Sequence, residues 1–127
     1  MSSNPEQRKK YAASHKGRAV KMWHNAARRS KSINAEVTIT TEWITEKLIA
    51  GVCEHTGLPF DLTPVSEFSS NPYSPSLDKI NPKIKDYTPE NTRVVLTAVN
   101  KTLNEYGEQT MLPILKAMIS VIENNKC

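Results

Sequence analysis

The amino-acid sequence predicts a small α+β fold, and three observations carry that reading. Apolar residues recur near the 3.6-residue spacing of a helix toward both ends of the chain. Two short runs, "SLDKI" at 76–80 and the β-branched "TRVVL" at 92–96, flank a turn-rich loop. A length of 127 residues suits one domain with a modest core.

The elements follow in order. Residues 1–13 are polar and charged and are expected to form a flexible N-terminus, leaving 14–127 as a single domain. From about Ser14 to Ser32, Ala19, Met22, Trp23, Ala26 and Ala27 fall near helical spacing, with basic residues around them. Val37 and Ile39 then alternate as a short extended piece. Thr40 or Thr41 offers an N-cap, Glu42 suits a first turn and Gly51 the position past a helix end. The helix between them would turn Trp43, Ile44, Leu48 and Ile49 inward. "GVCEHTGLPFDL" is hairpin-like and turns at Gly57-Leu58-Pro59. Residues 63–76 are Pro/Ser-rich and irregular, a loop of the length that is usually functional or mobile.

The stretch after the turn-rich loop admits two readings. Thr88-Pro89-Glu90 is a good helix start, which would give one helix from Pro89 to Tyr106. Thr92, Val94 and Val95 favour a strand instead. From Thr97 the pattern is helical, ended by Gly107. A last helix covers about Glu108 to Asn124, with Met111, Leu115, Met118 and Ile122 on one face. Pro113 lies near its first turn, where proline costs little.

The formal net charge of +4 is unevenly spread. Residues 1–36 hold nine Lys/Arg against two Asp/Glu, a net of +7; the remainder hold eight against eleven, a net of −3. A basic N-terminal end suits a polyanion, because Lys and Arg gain by releasing the counterions condensed on nucleic acid. The plainer alternative is a solvated, lysine-rich helix. No apolar run approaches the ~20 residues of a membrane helix, and the N-terminus has no apolar core for a signal peptide. A cytoplasmic protein with no membrane partner is therefore expected. Cys53 and Cys127 are too few for a disulfide framework, and no CxxC pair occurs. P-loop, GxSxG and HExxH signatures do not occur either.

Candidate chemistry gathers between Ser76 and Gly107. Asp78 lies on the first expected strand, and Asn100 and Asn104, at i and i+4, would share one helix face. One acid and two amide oxygens could converge on a hard divalent cation such as Mg²⁺. Trp23 and Trp43 read as core rather than base-stacking platforms, and Tyr73 and Tyr87 flank the loop, to line a groove or to pack.

The run "PSLDKINPKIKDYTPENTRVVLTAVN" resembles the HNH endonucleases of the ββα-metal class. It is most similar to phage-type members with Leu-Asp-Arg-Ile-Asp, a Gly-Tyr-Thr turn, Asn, a β-rich run and a final Asn. "HKGRAVKMWHNAARRSK", "VTITTEWITEKLIAGVCEHTGLPFDL" and "VNKTLNEYGEQTMLPILKAM" are similar to their flanking segments, so the resemblance covers nearly all the chain after residue ~14. It implies a ββα-metal core over about 75–107, with N- and C-terminal helices flanking it. Asp78 matches the first-strand metal ligand, Asn100 the helix ligand and Asn104 the position one turn later. Lys79 falls where many members place the water-activating histidine, and Asn91 matches the Asn that braces the loop and orients the base. In the family mechanism one cation, here expected to be Mg²⁺ or Mn²⁺, holds the scissile phosphate while the base makes hydroxide.

Four departures stand out. Lys79 has an ordinary pKa near 10.4, so it takes no proton from water at neutral pH unless its environment depresses it. Asn81 replaces the second acid, Asp86 a glycine, and Leu96 a cysteine of many relatives. Cys53 thus lacks partners, and structural zinc is not expected. His55, on the preceding hairpin, is the alternative base, with His15 and His24 on the first helix; a structural hydrogen bond is the plainer role of each. Lys79 also suits a fixed phosphate contact. Further DNA contacts are expected from Arg18, Lys21, Arg28, Arg29, Lys83, Lys85 and Arg93. The leading expectation is a metal-dependent DNA endonuclease of HNH type, phage-encoded and acting in the host cytoplasm. The alternative is a catalytically impaired HNH-fold module that binds DNA or a host protein. A third possibility is a structural or assembly role beside the phage packaging machinery.

Overall fold

The computed structural model describes residues 5–63 and 71–125, with side chains from residue 15 onward within those limits. Its elements are α1 (Pro5–Ser32), α2 (Thr41–Ala50), β1 (Pro75–Lys79), β2 (Thr92–Leu96), α3 (Thr97–Leu103) and α4 (Gly107–Asn124). The helices and one two-stranded antiparallel sheet make a small α+β fold. Parts of the expected flexible N-terminus and of the Pro/Ser-rich loop lie outside the described residues. No helix among those described is long and apolar enough to cross a membrane.

Helical backbone begins at Pro5, well before the expected Ser14. Proline is pre-organised for a first helical position, and the Glu, Gln, Arg, Lys and Ala that follow are strong helix formers without any apolar stripe. Further along α1, Ala19 and Ala26 are fully buried against the core that α2 also covers. Trp23 donates from Nε1 to the Ile39 carbonyl at 2.8 Å, and both Trp23 and Trp43 pack half-buried against that core. α2 is held at both ends as its sequence predicts. The Thr40 side chain accepts from the Trp43 N–H at 3.0 Å, and Gly51, at φ 81°, closes the helix. Thr40→Ala is expected to cost about 1 kcal/mol, read as a fall in Tm.

β1 and β2 pair in the register Leu77↔Val94 and Asp78↔Arg93. The β-branched run therefore settles as a strand, and the helix starts at Thr97 rather than Pro89. Alternation gives the sheet two different faces. Leu77 and Val94 join Ile39, Ile44, Leu48 and Tyr87 beneath α1 and α2. On the other face Val95 joins Cys53, Phe60 and Val99, between the 51–60 hairpin and α3. The hairpin is closed by a Val52–Pro59 bridge.

Two helix ends differ from expectation. α3 stops at Leu103, and Asn104 takes a left-handed φ of 41°. Gly107, at φ 80°, opens α4 instead of closing α3. No residue of α4 is buried: Met111 and Leu115 are half-buried, Met118 and Ile122 are exposed, and none of the four joins a core cluster among the described residues.

Candidate functional site

The site forms along the free edge of β1. Neighbouring strand residues point to opposite faces, so Asp78 looks toward α3 while Lys79 looks toward α1. A cavity of about 660 Å³ wraps around this edge and is lined by Arg29, Asp78, Lys79, Tyr87, Asn100 and Lys101, among others. The Lys79 ammonium sits 4.7 Å from the centroid of the Tyr87 ring, and Arg29 donates to the Tyr87 hydroxyl at 3.4 Å. Tyr87 thus brings two cations together at the cavity mouth. Burial, and then the charge of Arg29, hold the Lys79 pKa below the ordinary lysine range, with Asp86 opposing. Arg29→Ala should let that pKa rise, which an NMR titration of the lysine side chains would read. An unmoved Lys79 would show that burial alone depresses it.

Across the strand, Asn100 donates from Nδ2 to the Ser76 hydroxyl at 2.7 Å and to the Leu77 carbonyl at 2.9 Å. Both bonds use the amide nitrogen, so Oδ1 is the end not held by the strand. Asp78 is 5% exposed, and its Oδ2 accepts from Arg93 Nε at 2.9 Å. Arg93 also reaches Glu108 at 3.1 Å through Nη2, and the same Glu108 oxygen lies 3.1 Å from His55 Nε2. Four charged or titratable side chains thereby form one chain from the hairpin to β1, with Glu108 in the first turn of α4.

The donors fit a hard cation of one particular kind. Asp78 Oδ1 is not the oxygen engaged by Arg93, and Asp78 and Asn100 both line this cavity. Mg²⁺ and Mn²⁺ take oxygen ligands, and Mg²⁺ is commonly held by one or two carboxylates with the substrate phosphate completing its shell. One carboxylate and one amide suit a cation that arrives with a phosphate. Among the described residues no three His, Cys, Asp or Glu side chains gather as a protein-only cage would require.

The remaining expected residues take varied places. Asn91 is buried beneath the 81–86 loop. Its Oδ1 accepts from the Asn81 N–H at 2.9 Å, and its Nδ2 reaches the carbonyls of Asn81, Ile84 and Asp86 at 3.2–3.4 Å. Asn104 lines the cavity from beyond the helix end, not one turn along the face of Asn100. His55 is tied to Glu108 and lies outside the cavity lining; His15 is buried and His24 exposed. Arg18 donates to the Leu62 carbonyl at 3.0 Å, anchoring the hairpin's exit. Arg93 is drawn inward by its two carboxylates. Lys21, Arg28 and Lys83 are exposed, Arg28 bonded to Asn25, and Lys85 reaches the Ile33 carbonyl.

Two departures in the loop acquire local roles. The Asp86 carboxylate accepts from the Glu36 N–H at 2.8 Å, and Asn81 caps the Lys83 N–H at 3.0 Å in an Asx turn. Cys53 is buried, and its sulfur accepts from the Leu96 and Thr56 N–H groups. Burial raises its pKa, but hydrogen bonds from Thr56, Leu96 and His55 outweigh that and leave it below the ordinary thiol range. Sequence reasoning missed Ser76, Lys101 and Glu108. Glu108 carried one faint signal, an acid in the first turn of an expected helix, which explains helix stability but says nothing of Arg93.

Comparison with known proteins returned no matching family, curated protein or solved structure.

Proposed function

We propose that this chain binds the phosphodiester backbone of DNA in the β1–α3 cavity and hydrolyses it as an HNH-type endonuclease. In this reading β1, β2 and α3 are its ββα-metal core. One observation carries the proposal: Asp78 and Asn100 share a single cavity whose lining sets Arg29, Lys79 and Lys101 against the carboxylates of Asp78 and Glu105, a small positive excess. Arg29 supplies a planar fork and Lys79 a point charge, the two ways proteins grip phosphate oxygens. Asn91 holds the loop that follows β1 and so keeps Lys79 and Asp78 in place. Asp78 and Asn100 are the residues that would hold Mg²⁺ or Mn²⁺, which when bound supplies Lewis-acid stabilisation of the leaving oxygen. The lowered pKa of Lys79 moves it in the direction a proton acceptor needs.

The ion pair between Arg93 and Asp78 favours a second reading. A carboxylate already neutralised by arginine holds a cation less well, and the same cationic cavity would then serve a DNA-binding module that does not cut. Phage origin, and a host or phage protein as additional partner, go with either reading.

Plasmid nicking with Mg²⁺, Mn²⁺ or EDTA separates them. Nicking that needs metal supports the endonuclease. Retention of plasmid without nicking, with affinity falling steeply as salt rises, supports the binding module; Arg29→Ala should then lower the salt slope by about one. Neither nicking nor salt-sensitive retention would sink both readings.

A further inference from the structure

We propose that Glu108 is a positioning residue: by occupying one arm of the Arg93 side chain, it keeps Asp78 Oδ1 open to an incoming ligand. The inference rests on the reading of Asp78 as a cation ligand and names the residue that controls its availability.

Asp78 and Arg93 stand directly opposite in the β1–β2 register, so the backbone itself holds acid and guanidinium together. The pair is nearly dry, the Arg93 and Asp78 side chains being 15% and 6% exposed. A guanidinium presents its donors as a planar fork, and a carboxylate alone with that fork takes two parallel bonds, one through each oxygen. Here the two arms part. Nε donates to Asp78 Oδ2 at 2.9 Å, while Nη2 donates to Glu108 Oε1 at 3.1 Å. Glu108 therefore takes the arm that would otherwise close on Asp78 Oδ1.

Local structure holds Glu108 to this task. It follows Gly107, whose φ of 80° costs glycine nothing, and lies in the first turn of α4. His55 Nε2, from the hairpin, lies 3.1 Å from the same Oε1. Asp78, Arg93 and Glu108 line one small crevice, but Glu108 is not in the lining of the main cavity. It thus acts on the site through Arg93 and not as a ligand. A hard cation needs a carboxylate oxygen that arginine has not taken. With Glu108 withdrawn, the fork turns onto Asp78 alone and competes with the cation for both oxygens.

Two variants of the full chain test this, Glu108→Ala and Glu108→Gln. Both remove the charge, but only the first removes the acceptor that holds the fork open. Mn²⁺ binding, read from the electron paramagnetic resonance signal of the free ion, should weaken about tenfold or more in Glu108→Ala. In Glu108→Gln it should stay within about fivefold of wild type, the most that an exposed charge is worth. Metal-free crystal structures supply the second readout. Glu108→Ala should show Arg93 Nε and Nη2 on the two Asp78 oxygens, and Glu108→Gln should keep the fork split. The substituted side chain is 57% exposed, so circular dichroism should show both variants folded. Equal weakening in the two variants would assign the effect to charge and overturn the proposal. So would a Glu108→Ala structure in which Arg93 still holds Oδ2 alone. A wild type that binds no Mn²⁺ removes the metal reading by itself; the crystal structures then decide, a closed fork in Glu108→Ala supporting the role of Glu108 and an open one refuting it.

Discussion

On the proposed endonuclease reading, Asp78→Ala is expected to abolish metal-dependent nicking, a loss on the order of a thousandfold or more, because a cation's stabilisation of developing charge is worth several kcal/mol. Asp78→Asn sharpens the result. It keeps the side chain's shape and an acceptor for Arg93 but removes the charge that attracts a cation. In EDTA, that variant should bind a short DNA duplex as well as wild type or better. The Arg93 guanidinium keeps that hydrogen bond but is now ion-paired only with Glu108, so its charge is more available to phosphate. Nicking by Asp78→Ala at the wild-type rate would remove Asp78 from the metal site. Loss of duplex binding in Asp78→Asn would mean that the carboxylate positions the DNA-facing surface instead.

Asn91→Ala should be the most damaging single change to the fold near the site, costing about 3 kcal/mol in urea denaturation. The side chain is 6% exposed and satisfies one N–H and three carbonyls of a loop with no regular structure of its own. An amide has two hydrogens for three carbonyls, so the contacts at 3.2–3.4 Å share donors and are individually weak. Their loss together leaves buried acceptors unpaired, which is the larger part of the penalty. Asn91→Asp should do no better, since it turns a carboxylate toward those carbonyls. A cost below about 0.5 kcal/mol would show that the loop is held by other contacts, such as Asp86 on Glu36.

Much of the fold was legible because its signals are local. The N-cap at Thr40, the left-handed Gly51 and the turn at Gly57 each follow from what one residue's backbone or side chain can do. The strand at 92–96 was legible as β-branched, although Pro89 offered a helix at nearly the same place. What chose the strand was Leu77 opposite Val94, a pairing between residues that only the folded sheet brings together.

The site divides along the same line. By itself the sequence determined that an acid, a lysine and an asparagine would sit on one strand–loop–strand–helix unit, since their spacing and secondary structure are local. Tertiary structure alone decided that Arg93 lies beside Asp78 and pairs with it, and that Arg29 arrives from α1 to meet Lys79 across Tyr87. It alone left α4 without a buried residue, despite a pattern that reads as a core helix. Periodicity records which side of a helix avoids water. What it packs against is set by where the rest of the chain goes, and each charge finds its partner by distance in space rather than along the sequence.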